Sequence, residues 1–228
     1  MTTRIRLTYR SAASEGPPPG NLARSWSEAF EAAGLALARP EGSRRVRIEL
    51  GPPLPAGVAG EAELLDAWLA EPVAVESVCA RLASEAPPGV VPVAAEELGE
   101  RLPSLSMLLR SARYRCCWPA GAAEPSLLRE QVATFMAHPA LEWEEHRGER
   151  VRRFDLRAMV RELDVDEGDD GVCLHARVVL THDRTMRPAS LLAAIGIEAP
   201  PASIVRVAVE AERPRVALRA WRERGRFS

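Results

Sequence analysis

Lysine is absent from this 228-residue chain, so all 30 basic residues are arginine. That excludes a Schiff-base lysine, a lysine general base and the phosphate-binding lysine of a Walker motif. Aromatic residues make up only 5%. The aromatic octamer of an RNA-recognition motif is missing, which argues against single strands stacking on a sheet surface. No run approaches the ~20 apolar residues of a bilayer span. The first ten residues, MTTRIRLTYR, alternate charged and apolar residues where a signal peptide carries a hydrophobic stretch. A cytoplasmic protein without membrane contact is therefore the expectation. There are four cysteines, Cys79, Cys116, Cys117 and Cys173, and they fit no zinc-ribbon or iron–sulfur spacing. They are expected to be reduced and structural, with Cys116 and Cys117 facing opposite sides of a strand. G-x-G-x-x-G and H-E-x-x-H are also missing, so no cofactor, metal site or catalytic residue is assigned.

What is present is the mix of a soluble globular protein, 46% hydrophobic and 27% charged. The length suits one large domain or two small ones. Arginine alongside abundant Ala, Pro and Gly matches GC-biased coding, so it is not by itself a nucleic-acid signal. Charge is uneven: residues 1–103 carry net −4, 104–212 net −3 and 213–228 net +5. A mildly acidic body ends in a basic tail.

Periodicity yields the same plan twice. Ile5, Leu7 and Tyr9 alternate with polar residues as in a half-buried strand. After a Pro/Gly loop, Asn21 caps a helix carrying Leu22, Trp26, Phe30 and Ala33, with Gly34 at its end. Val46, Ile48 and Leu50 mark a second strand, and Gly51 to Gly57 holds three prolines that cannot continue a sheet interior. A strand at Glu63 to Leu69, a helix with Val75, Val78 and Leu82, and a strand from Val90 to Ala94 complete β-α-β-β-α-β. After a short helical connector at 103–111, the second half repeats this order. Its strand carries Tyr114, Cys116 and Trp118, its first helix runs from Glu124 to Met136, and a hairpin at 141–154 is inserted. A second hairpin turns at Asp166 to Gly171, a helix follows Pro188, and the last strand is Ile204 to Val209. The expected fold class is α+β, with two tandem ferredoxin-like units whose antiparallel sheets carry helices on one face. The units span 1–102 and 103–212, and a basic tail spans 213–228. The competing picture is one long mixed sheet shared by both halves.

Several strings in this frame resemble a known family. Pro52-Pro53-Leu54-Pro55-Ala56-Gly57 followed by Glu61-Ala62-Glu63-Leu64-Leu65-Asp66 is similar to a signature of the bacterial radical-SAM-linked proteins. So are Ala33-Gly34-Leu35, Pro103-Ser104-Leu105 through Tyr114, Phe154-Asp155-Leu156-Arg157 and Arg187-Pro188-Ala189-Ser190-Leu191-Leu192. The order and spacing of these strings carry the resemblance along nearly the whole chain. Two histidine-bearing family strings are replaced here, by Gly20-Asn21-Leu22-Ala23 and Glu41-Gly42-Ser43-Arg44-Arg45. The resemblance implies a non-catalytic accessory or substrate-presenting protein whose partner is a radical SAM enzyme.

The residues themselves offer a few binding candidates. The proline segment, with Pro53 and Pro55, suits a ligand- or partner-facing loop, because prolines lose little freedom on binding. A structural crossover between strands is the plainer reading of the same segment. Arg44, Arg45 and Arg47 beside it suit phosphate contacts. Arg213, Arg215, Arg219, Trp221 and Arg222 in the tail combine charge with one aromatic ring, which suits RNA. RNA binding or processing, through arginines of an inter-unit cleft and the tail, is thus the alternative function. The acidic run from Asp164 to Asp170 reads as a solvated turn, since it fails the EF-hand spacing. A nucleophile–base pair of Cys173 with His182 would need geometry that a sequence does not show.

Overall fold

The computed structural model describes residues 2–13, 20–99, 102–147 and 150–212. Strands β1 (Thr3–Ser11), β2 (Ile48–Leu50), β3 (Val58–Leu69) and β4 (Val90–Leu98) alternate with helices α1 (Leu22–Ala32) and α2 (Val78–Leu82). The short helix α3 (Leu105–Leu108) leads into β5 (Leu109–Pro119) and α4 (Pro125–Ala137). The hairpin β6 (Glu142–Arg147) and β7 (Arg150–Asp155) follows. Then come β8 (Val160–Gly168), β9 (Gly171–Val179), α5 (Pro188–Ile195) and β10 (Ser203–Ala211). The fold is mixed α+β, with a mostly antiparallel sheet and few helices.

Eight strands form one sheet in the order β4-β1-β3-β10-β5-β9-β8, with β2 paired to β3. Every neighbouring pair is antiparallel except β3 with β10, where Val58, Ala59 and Gly60 run parallel to Ile204, Val205 and Arg206. That parallel contact is the seam between the two halves, and it makes the shared sheet, rather than two separate ones, the observed arrangement.

Local chemistry explains the elements. Ile5, Leu7 and Tyr9 of β1 and Leu65, Ala67 and Leu69 of β3 are buried with Trp26 and Phe30 of α1 in one cluster. Gly34, at φ +67°, lets the chain reverse after α1, and the Arg81 guanidinium donates to the carbonyls of Ala33 and Gly34. The second cluster gathers Tyr114, Cys116 and Trp118 of β5 with Leu128, Val132 and Phe135 of α4 and Leu191 and Ile195 of α5. Pro188 starts α5 without losing a helical bond, and Gly196 at φ +84° ends it.

The structure corrects two expectations. Strand β3 begins at Val58, not Glu63, because its first residues pair with β10, a partner from the far end of the chain. The cysteines are not all reduced: Cys117 and Cys173 face each other across β5 and β9 and form a disulfide, Cα–Cα 4.1 Å. The β6–β7 hairpin pairs opposite charges across its strands, with Arg153 Nε 2.6 Å from Glu144 Oε1.

Candidate functional site

Four polar side chains stand in register across the seam. Tyr9 of β1 lies opposite Glu63 of β3, while Arg206 of β10 lies opposite Gly60 of β3 on one side and Tyr114 of β5 on the other. The β1–β3 register shifts between Tyr9 and Ser11, adding one residue on β3, so Glu63 folds over Gly60. A Cβ at Gly60 would sit 2.6 Å from Glu63 Cγ, so only glycine leaves this room.

Glu63 and Arg206 are 2% and 0% exposed and are bonded bidentately. Arg206 Nε donates to Oε1 at 2.8 Å, Nη2 donates to Oε2, and Nη2 also reaches the Pro52 carbonyl at 2.6 Å. The guanidinium thus ties the seam to the proline segment. Burial works against its charge, yet the Glu63 bonds outweigh that and hold its pKa above the usual arginine value. Burial also raises the phenol pKa values of Tyr9 and Tyr114, and for Tyr9 the Glu63 charge adds to the rise.

Beside this pair opens a cavity of about 620 Å³. The segment Gly51 to Ala56 forms one wall, Leu22 and the end of β1 another, and Tyr9, Val58 and Glu63 also line it. Most of the lining is apolar, and Glu63 is its one charged residue among the described residues. The volume lies in the range of small-molecule sites. Leu54, at the centre of the segment, packs against the core of the second half, so the wall is anchored on both sides of the seam.

The model of a family described as uncharacterised proteins conserved in bacteria (DUF2344) matches residues 21–188, well over half of the sequence. The chain belongs to that family. The matched DUF2344 residues include α1, the proline wall and Glu63; Tyr9 and Arg206 lie outside them. No curated protein matches the sequence. Among solved structures, the DUF2344 chain is similar to a protein put forward as a glycine cleavage system transcriptional repressor. The identity is 9% over 85% of this chain and 87% of that one, with a TM-score of 0.26. It is also similar to an unknown protein from Galdieria sulphuraria, 9% identical over 93% of this chain and 100% of that one, with a TM-score of 0.28.

The candidates read from the DUF2344 sequence divide cleanly. Pro53 and Pro55 line the cavity. Arg44 and Arg45 are exposed at the opposite end of β2 from the proline segment. The Arg47 guanidinium lies 4.1 Å over the Trp68 ring, away from the cavity. The structure therefore does not bring these arginines to the proline wall. Arg213, Arg215, Arg219, Trp221 and Arg222 lie outside the described residues. Cys173 carries no free thiol for His182 to activate, because it is bonded to Cys117. The Asp166–Gly171 turn joins β8 to β9, and Glu167 there pairs with Arg129 at 2.8 Å. Among the described residues no three His, Cys, Asp or Glu side chains gather as a cation site, and no helix is long and apolar enough to cross a membrane.

Sequence reasoning missed Glu63, Arg206 and Tyr114 as a unit. The available signal was parity for Glu63, which continues the core series Leu65, Ala67 and Leu69. Arg206 carries no such signal, because Val205, Val207 and Val209 mark the other face and a register shift after Arg206 interrupts the alternation. A charged residue at a core position of a strand needs a partner.

Proposed function

We propose that this protein is an accessory partner of a radical SAM enzyme and that the proline-walled cavity holds part of the substrate. The cavity carries the binding half of this reading: it is preformed, mostly apolar, of ligand size, and walled by a segment whose prolines lose little freedom on binding. The enzyme partner rests on the resemblance of the proline segment and its neighbours to the radical-SAM-linked proteins. The strand orders β4-β1-β3-β2 and β10-β5-β9-β8 support reading the scaffold as two ferredoxin-like units joined at β3 and β10. On that scaffold the cavity sits beside the joint, with its proline wall packed through Leu54 against the core of the second half.

The test is a pull-down with the tagged full chain, at low salt, from the bacterium that encodes it, identifying both proteins and nucleic acid. A radical SAM enzyme retained in stoichiometric amount is the expected result. Retention of RNA alone, released by salt, would replace this reading with the RNA-binding one. Retention of neither would overturn both.

A further inference from the structure

Resting on the cavity as the binding site, its polar groups define what it takes. Glu63 is the one charged residue among the described lining residues, and Arg206 behind it neutralises that charge. A charged ligand would therefore be desolvated at the Glu63 end without a counter-ion. The proline wall has few N–H donors, those of Leu54 and Ala56, and the Tyr9 and Ser11 hydroxyls are the side-chain donors among the described lining residues. Pro52, Pro53 and Pro55 have no N–H, and the Gly51 N–H is committed to the Leu64 carbonyl at 2.8 Å. A carboxylate offers about four lone-pair sites, and Arg206 takes one on each oxygen, leaving acceptor capacity on Glu63. Gly20, on the α1 side of the lining, is exposed, whereas Glu63 is buried. The cost of a mismatched group is steepest at the buried end, so Glu63 sets the preference.

We infer that the cavity binds a small, neutral ring compound carrying a hydrogen-bond donor, with that donor directed at Glu63. The apolar faces of Pro53, Pro55, Leu22 and Val58 supply the contact for the ring, and the acceptor supplies the selectivity.

Four probes of similar size test this on the full chain, with amide NMR shifts of Ser11, Leu54 and Ala56 as readout: indole, 1-methylindole, benzoate and benzylamine. Indole is expected to shift these three residues and to bind tightest. Its N-methyl analogue keeps the shape, loses the donor and is expected to bind about tenfold more weakly. Ala56→Trp, which crowds the cavity from an exposed position, should abolish the indole shifts while the rest of the spectrum stays folded. Equal binding of indole and 1-methylindole, or tighter binding of benzoate or benzylamine, would overturn the donor inference and leave the cavity reading standing. If no probe shifts the three residues, the cavity reading falls and the inference with it.

Discussion

Among the described residues, arginine–carboxylate contacts are buried in two places, and they differ in stoichiometry and in what they face. At the seam, one carboxylate meets one guanidinium, Glu63 with Arg206, beside an open cavity. On the neighbouring strands, Asp66 serves two arginines. It accepts from Arg4 Nη2 at 2.7 Å and from Arg6 Nε and Nη2 at 2.7 and 2.9 Å. Arg4 also donates from Nη1 to the Leu102 carbonyl at 2.6 Å and from Nη2 to the Pro103 carbonyl at 2.7 Å. Its Nε stays buried without a hydrogen-bond partner, and its guanidinium lies 4.7 Å from the Trp68 ring centroid. Glu49 secures the same connector by accepting from the N–H groups of Leu105 and Ser106. The Asp66 cluster is committed to holding the connector between the halves. The Glu63 pair joins the halves and still presents an acceptor to the cavity.

The largest effect should come from breaking the cluster with the excess positive charge. Asp66→Ala leaves two guanidinium groups buried without a carboxylate, and a cost of about 5 kcal/mol is expected in denaturant unfolding. A loss below about 2 kcal/mol would mean that the connector carbonyls and Trp68 suffice to hold the arginines. Glu63→Gln keeps one acceptor for Arg206, so a smaller loss of about 3 kcal/mol is expected. The double change Glu63→Leu with Arg206→Met removes both charges and should fall within about 1 kcal/mol of the parent chain. It should also erase the preference for indole over 1-methylindole. That combination separates the stabilising role of the pair from its recognition role.

The two tyrosines of the chain flank the seam pair, and burial is the first cause of the raised pKa of each. A group with a raised folded pKa contributes stability in full below its unfolded value, and loses it as pH rises toward the folded one. Stability should therefore be insensitive to these phenols at neutral pH and decline above the ordinary tyrosine pKa of about 10. A spectrophotometric titration should show both phenols ionising only together with alkaline unfolding. An early, reversible transition of either would place it in water and loosen the picture of a sealed seam.

Much of this architecture was legible in residue spacing. The alternation of Ile5, Leu7 and Tyr9, and of Tyr114, Cys116 and Trp118, identified strands whose buried faces are those found. Such periodicity reports which face is buried, not which strand lies alongside. The parallel contact of Val58 with Ile204 joins residues from opposite ends of the chain, and nothing local announces it. For the same reason Cys117 could be read as facing away from Cys116, while its partner Cys173 depended on the β5–β9 register. The site was half legible. Pro53 and Pro55 stand out by composition, whereas Glu63 stands at the start of the expected strand, which assigns its charge no role. Because β3 begins at Val58, Glu63 lies inside the strand on the same side as Leu65, and Gly60 beneath it leaves room for its side chain.

The smallest effect on stability should be at the wall itself, and it sharpens the contrast most directly. Pro53 is exposed and lines the cavity, so Pro53→Ala removes no buried contact of either arginine cluster. Its stability cost should be about 0.5 kcal/mol, chiefly from a freer unfolded chain. Indole affinity should fall by about two- to threefold, because a looser wall must be ordered on binding. Asp66→Ala, wherever a folded fraction persists, should leave indole affinity unchanged, since Asp66 is not among the residues lining the cavity. Measuring both variants for unfolding midpoint and indole affinity gives a crossed result: stability moves with Asp66 and affinity with Pro53. If the two properties moved together in both variants, the seam and the connector would behave as one cooperative unit, and the division between a holding cluster and a presenting one would fail.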